Sequence, residues 1–332
     1  MPRLFFELVG PHYELAKAEI SGGLKGLSFE YEELRFEEGV FAVEVESLPE
    51  ELFSRLGLTH RVHRLIAVTS EDGYDFSGLL EDHEFPEGSI AVRTEKVKGG
   101  ETDTKKIREE LGDLISGTNS IDLESPDHEI FALVSTDLFL GKKIYEVDRK
   151  KLRGRQVKNR PFSSPISLKP WFTIALINLA RPSRSSRLHD PFCGTGGLLI
   201  EGGKMGLEVS GGDKDPEMIK GCEKNLNEFD VKCELKEGDV SQTIPEDIEI
   251  VATDPPYGRA SSTSKEDLKS IYQRLFEASA ERLKEGGRLA AIFPEEEYIS
   301  MGEEHLELLE RYRTKVHGSL DRNFTVFKKP TR

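Results

Sequence analysis

The sequence predicts an α/β protein: an α+β first half, then, from about Ser167, a doubly wound parallel sheet that finishes in an antiparallel hairpin. Three observations carry this. After Ser167, short β-rich runs alternate regularly with helix-period runs, which implies right-handed β-α-β units. The last two extended runs, residues 312–319 and 323–328, have only Leu320-Asp321-Arg322 between them, as a hairpin would. The 332 residues exceed one ordinary domain, and a hydrophobic share of 36% is enough for more than one core.

In the first half, residues 3–9 and 39–46 are β-rich and flank a helical run over residues 13–20. Further strands are expected at 62–69, 90–94 and 130–135. Residues 103–115 form a helix, capped by Asp103 and carrying Ile107, Leu111, Leu114 and Ile115 on one face. Two small units are expected, residues 1–47 and 48–147. A basic stretch over residues 148–166, broken by Pro161 and Pro165, is the clearest linker. The last domain then spans 167–332, opening on a helix at 169–180. Strands follow at 187–190, 207–212, 232–237, 248–253 and 288–293, and the hairpin brings the sheet to seven.

Charge is unevenly spread along a chain of net charge −15. Residues 1–140 hold 13 Lys and Arg against 30 Asp and Glu, whereas residues 141–169 hold 10 against 2. In an acidic protein this short basic segment reads as an RNA-facing patch. Its bases include Lys142, Lys143, Arg149, Lys150, Lys151, Arg153 and Arg155. No apolar run reaches the roughly 20 residues that span a bilayer, and no signal peptide opens the chain, so the expected compartment is the cytoplasm. Cys193, Cys222 and Cys233 stand in scattered contexts, which predicts free thiols and no zinc site. No metal and no membrane partner is expected, and a monomer is the default.

Asp190-Pro191-Phe192-Cys193-Gly194-Thr195-Gly196-Gly197 joins the first strand of the sheet to the next helix. Glycines there allow a tight turn and a close backbone approach to a ligand. The spacing fits neither the dinucleotide fingerprint nor the phosphate loop. Successive strands also end in acids. Asp213 can accept both ribose hydroxyls, with Lys214 beside it, and Asp239, followed by Val240, can take an adenine amine. The fourth strand ends in Asp254-Pro255-Pro256-Tyr257-Gly258. An exocyclic amine is a poor nucleophile because its lone pair is delocalised, so its nitrogen must be held in line and its hydrogens drawn off. Asp254 and the Pro255 carbonyl supply two acceptors, the prolines stiffen the turn, and Tyr257 offers a stacking face. Sulfonium methyl donor, ribose and adenine together imply S-adenosylmethionine.

These two motifs, with Arg259 after Gly258 and with Arg160-Pro161-Phe162-Ser163-Ser164-Pro165-Ile166-Ser167-Leu168, resemble the archaeal THUMP-domain tRNA guanosine N2-methyltransferases that act at position 10. The resemblance covers the whole chain. It implies a Rossmann-like methyltransferase domain behind a ferredoxin-like unit (1–47) and an RNA-binding THUMP domain (48–147), with tRNA as partner and mono- or dimethylation of the guanine amine. Carried onto matching positions, Asp254, Pro255, Pro256 and Tyr257 form the catalytic set. Asp190, Cys193, Gly194, Thr195, Gly196, Asp213, Lys214, Asp239 and Val240 line the cofactor. Residues 258–265, including Arg259, read as a lid that meets RNA phosphate.

Other readings remain open on sequence. They are an N2-methyltransferase for another tRNA position, a DNA amino-methyltransferase using the same Asp-Pro-Pro-Tyr, and a non-catalytic RNA-binding protein that keeps the fold.

Overall fold

The computed structural model describes residues 1–70, 75–80, 83, 85, 87–97, 102–117, 119–164, 167–257, 267–317 and 320–331. Its contacts divide the chain into two units, one of Met1–Lys17, Phe29–Phe53 and Thr59–Val147, the other of Ala18–Ser28, Ser54–Leu58 and Asp148–Arg332.

The first unit is built on β1 (Arg3–Leu8), the start of α1 (Tyr13–Gly26), β2 (Tyr31–Glu37), β3 (Val40–Val45) and α2 (Glu50–Phe53). It continues through β4 (Thr59–Ser70), α3 (Phe76–Leu80), β5 (Ser89–Lys96), α4 (Thr104–Ser116), β6 (Ser120–Ile121), β7 (His128–Val134) and β8 (Asp137–Glu146). All eight strands form one sheet in the order β2-β3-β1-β4-β8-β7-β5-β6. The segments expected to separate near residue 47 are thus joined by the antiparallel pairing of β1 with β4. Alternation explains the two-sided core. Phe5, Val40, Ala42, Leu133 and Phe139 cluster together, while Ile90, Val92 and Ile130 pack with Ile107, Leu111 and Ile115 of α4. Asp103 caps α4 by accepting from the Lys105 and Lys106 amides. Leu114, expected on the packed face, is 43% exposed because it lies at the edge of that stripe.

The second unit runs through α5 (Arg149–Gly154), a 3₁₀ turn (Val157–Asn159), α6 (Pro170–Leu179), β9 (Arg187–Asp190), α7 (Gly197–Lys204), β10 (Glu208–Asp213) and α8 (Pro216–Glu228). It ends with β11 (Cys233–Glu237), α9 (Val240–Thr243), β12 (Ile248–Thr253), α10 (Leu268–Arg282), β13 (Leu283–Phe293), α11 (Glu296–Glu303), β14 (Glu307–His317) and β15 (Leu320–Lys328). The sheet order is β11-β10-β9-β12-β13-β15-β14, parallel except where β15 pairs with β13 and β14. This is the seven-stranded doubly wound sheet with a closing hairpin that the sequence predicts. The hairpin's second strand begins earlier than expected, at Leu320.

The basic segment is folded in two places. Lys142 and Lys143 lie on β8, an ordered strand paired with β4 and β7. The presumed linker is also folded: Asp148 accepts from the Lys151 amide and starts α5. The second unit further recruits residues 18–28 and 54–58. Glu19, fully buried, accepts from the Gly57 amide at 2.7 Å and the Leu58 amide at 2.9 Å, and Asn178 of α6 donates to the Arg55 carbonyl at 2.6 Å. No helix among the described residues is long and apolar enough to cross a membrane.

Candidate active site

The order of strands reverses between β9 and β12, which lie side by side and send later strands to opposite edges. Ligands of such sheets bind at the carboxyl ends of strands at this point. Asp190 ends β9, Thr253 ends β12, and Asp254 follows directly. The Thr253 hydroxyl donates to Asp190 Oδ1 at 2.7 Å, tying the two ends together.

Past Asp190 the chain turns sharply. Gly194 (φ +48°) and Gly196 (φ +80°) both adopt left-handed backbone, and the Gly196 amide closes the turn on the Cys193 carbonyl at 2.7 Å. A side chain on Gly196 would strike Cys222 Sγ at 2.7 Å, so glycine is required there for packing. Gly194 differs: a Cβ on it would find nothing closer than a carbonyl at 3.9 Å, which leaves open space over the turn.

The turn is braced from behind by the segment that carries the resemblance. Arg160, 6% exposed, donates from Nη1 to Thr195 Oγ1 at 3.1 Å, and Asn225 Nδ2 donates to the Thr195 and Phe162 carbonyls, each at 2.9 Å. Phe162 packs so tightly on α8 that any Cβ on Gly221 would overlap its ring. Arg160, Phe162 and Asn225 are structural members of the site that motif reading left without a role. Asn225 gives no signal in sequence.

Three carboxylates converge near the turn. Burial, reinforced by neighbouring Asp213 and Asp254, pushes the Asp190 carboxyl up to about 7. Burial raises Asp213 as well, although its oxygens accept from the Gly194 amide at 2.9 Å and the Asp215 amide at 3.0 Å. Such a grouping of desolvated acids beside open space suits a ligand carrying positive charge. S-adenosylmethionine, with a sulfonium and an ammonium, fits that description. Cys193 and Thr195 are buried within the turn, and Lys214 is exposed. Asp239 caps α9, and Arg274 of α10 pairs with it through two hydrogen bonds of 3.1 and 3.0 Å. Burial alone would raise Asp239, but its bonds from Ser241 and Arg274 hold it below the usual carboxylate range. Val240 is 2% exposed and belongs to the core beneath.

At the end of β12, the Tyr257 hydroxyl donates to Asp254 Oδ1, and burial raises the Asp254 carboxyl against the opposing effects of Arg322 and of that bond. Tyr257, expected as a flat stacking wall, therefore also turns its hydroxyl onto the acid. Tyr272 of α10 donates to the Pro256 carbonyl at 2.7 Å. That bond fixes the Pro-Pro turn and occupies the Pro256 oxygen. The guanidinium of Arg322 lies over the Tyr257 ring, 5.9 Å from its centre. Neither Tyr272 nor Arg322 was legible in advance, since their partners are remote in sequence.

The basic residues divide between the two units. Lys142 and Lys143 belong to the first unit, where Lys143 pairs with Glu129 and Glu146 and is not a free cation. In the second unit, Arg149 donates to the Gly57 carbonyl at 2.7 Å. Arg155 is a correction to the RNA-facing reading: its guanidinium makes bonds of 2.8 and 2.7 Å to the two oxygens of buried Glu201, so its charge is spent inside the protein. Lys150, Lys151 and Arg153 are exposed on α5. Arg259 and the rest of residues 258–265 lie outside the described residues. Among the described residues no group of His, Cys, Asp and Glu is arranged to hold a metal ion.

Comparison with known proteins agrees with this geometry. Residues 157–323 match the family model described as UPF0020, RMKL-like, methyltransferase domain. The tRNA (guanine(10)-N2)-dimethyltransferase of Pyrococcus abyssi is 34% identical over 83% of this chain and 85% of its own. The protein of the same name from Methanothermobacter thermautotrophicus is 28% identical over 96% of this chain and 97% of its own. In fold, the crystal structure of TrmN from Thermus thermophilus aligns with 99% of this chain and 100% of its own at a TM-score of 0.56 and 20% identity. By the extent and level of its likeness to the Pyrococcus protein, the chain belongs to the tRNA (guanine(10)-N2)-dimethyltransferase family.

Proposed function

We propose that this protein methylates the exocyclic N2 amine of guanosine 10 in tRNA, using S-adenosylmethionine, with one or two methyl groups added. The observation that carries the reading is the placement of Asp254 and the Pro255 carbonyl at the end of β12, beside the acids that close the ends of β9 and β10.

Asp190, Asp213 and the Gly194–Gly196 turn would hold the cofactor's amino-acid and ribose portions, and Asp239 its adenine. When bound, S-adenosylmethionine supplies a methyl group on a positively charged sulfur, which keeps the bonding electrons as the amine takes the methyl. The protein's own part is positional. Asp254 and the Pro255 carbonyl draw on the two N–H groups, freeing lone-pair density on nitrogen and fixing its line of approach. Asp254 then receives the proton that nitrogen must lose. Tyr257 bounds the base and Tyr272 keeps the Pro-Pro turn from relaxing.

Residues 1–47 and 48–147 are read as the ferredoxin-like and THUMP portions that engage tRNA, acting in the cytoplasm. Lys150, Lys151 and Arg153 of α5 are the preferred phosphate contacts on the second unit. Extrusion of a base costs a few kcal/mol, which phosphate contacts elsewhere offset. The test is mass spectrometry of nuclease-digested tRNA after incubation with enzyme and cofactor. The expected product is N2-methylated guanosine from position 10, absent with Asp254→Ala although that variant still binds S-adenosylmethionine. Methylation at another position, or full activity of Asp254→Ala, would overturn the reading.

A further inference from the structure

Arg322 enters the site from a part of the fold that the proposed reaction does not otherwise use. It lies on β15, where its carbonyl accepts a 3.4 Å bond from Thr314 Oγ1 on the neighbouring strand. The next residue, Asn323, stands opposite Phe293 at the end of β13, and its side chain donates to the Phe293 carbonyl at 3.0 Å. The backbone at 322 is therefore held from both sides, and the side chain reaches over the end of β13 towards the end of β12. Its guanidinium comes to rest over the Tyr257 ring, the same ring whose hydroxyl donates to Asp254.

The environment of that guanidinium is unusual in two respects. Arg322 Nε is buried and has no hydrogen-bond partner among the described residues. Leaving a buried donor of a charged group unpaired costs stability unless the charge is compensated elsewhere. Compensation comes from two sources: the electron-rich face of Tyr257 and the Asp254 carboxylate within electrostatic reach. Asp254 in turn sits where burial works against its charged form, and Arg322 is the positive group that acts in the opposite direction.

We propose that Arg322 is a positioning residue for methyl transfer: it clamps the Tyr257 ring by a cation–π contact and supplies the positive charge that keeps Asp254 an ionised acceptor for the amine N–H groups. The inference rests on the function proposed above. Only an ionised Asp254 can accept both an N–H bond and, later, the departing proton. Arg322 touches neither, so it acts through Asp254 and Tyr257.

The test uses full-length protein and tRNA under single-turnover conditions at saturating cofactor, across about pH 5.5 to 9, with Arg322→Met and Arg322→Lys. Loss of the charge lets the Asp254 pKa rise, so the acidic limb of the rate profile moves to higher pH in Arg322→Met. A neighbouring charge moves a carboxylate by about 1–3 pH units, so the acidic limb should move up by about that much, with the rate recovering towards pH 9. Arg322→Lys should keep the wild-type acidic limb at a reduced maximal rate, because an ammonium retains charge but not the flat stacking of a guanidinium. Cofactor affinity by calorimetry should stay within about twofold in both. An unchanged rate, or a fall uniform across pH with the acidic limb unmoved, would overturn the proposal. Should Arg322→Met fail to fold, Arg322→Gln reads the same limb, and a displaced acidic limb in Arg322→Lys would overturn it independently. Wild-type protein that modifies no tRNA at all would instead refute the proposed function.

Discussion

Arg155 and Glu201 form a two-pronged ion pair, with Glu201 1% exposed at the centre of α7 and Arg155 at the end of α5. A basic residue from a strongly charged run thus anchors the segment that precedes the sheet. Removing one partner of a buried pair leaves an uncompensated charge. Arg155→Ala should lower unfolding stability by about 3–5 kcal/mol, read from urea midpoints.

Exposed neighbours of Arg155 should behave in the opposite way. Lys150→Glu with Arg153→Glu should leave unfolding stability, read from urea midpoints, within about 0.5 kcal/mol, since both are on the solvent face of α5. The same pair should weaken tRNA binding and flatten the slope of log affinity against log salt, because each lost phosphate contact releases fewer counterions. An unchanged slope in fluorescence titrations would remove α5 from the RNA interface.

The position of the Asp190 carboxyl has a sign that can be worked out. Its ordinary value is 3.8 and in the fold it is pushed up to about 7 by burial and by Asp213 and Asp254. Between those values the folded chain holds a proton that the unfolded chain has lost, so stability falls as pH rises through that window. Asp190→Asn should flatten this dependence between pH 5 and 8. A bound sulfonium favours the ionised carboxyl, so cofactor binding below pH 7 should release protons. Calorimetry in buffers of different ionisation enthalpy measures that release.

Glu19 gives a purely structural prediction. Its two oxygens satisfy the Gly57 and Leu58 amides inside the second unit. Glu19→Ala should cost about 1–3 kcal/mol for each orphaned donor, visible as a lower melting temperature with cofactor affinity intact.

Much of the second unit was legible because its signals are local. A strand ending in Asp254-Pro255-Pro256-Tyr257, a turn with Gly194 and Gly196, and a hairpin at the end each need only a few consecutive residues to be recognised. What escaped depends on partners distant in sequence. Arg160 and Asn225 meet at Thr195, Tyr272 meets Pro256, Arg322 meets Tyr257, and no periodicity announces any of these. Net charge misled for a related reason. Composition counts Lys143 and Arg155 as positive, whereas Glu129 and Glu201 neutralise them in space. The strand β8 was not picked out because Lys142 and Lys143 stand in a basic run read as an RNA-facing patch, although only alternate side chains of a strand need face a core.

Tyr272 and Arg274 are two residues apart on α10, and they hold opposite ends of the site: Tyr272 the Pro256 carbonyl where the base is expected, Arg274 the carboxylate of Asp239 where adenine is expected. One rigid rod therefore grips both substrates' cradles. On the proposed reading, an adenine amine at Asp239 would meet the oxygens that Arg274 already engages. α10 thus ties the turn that follows β12 to the carboxylate that follows β11.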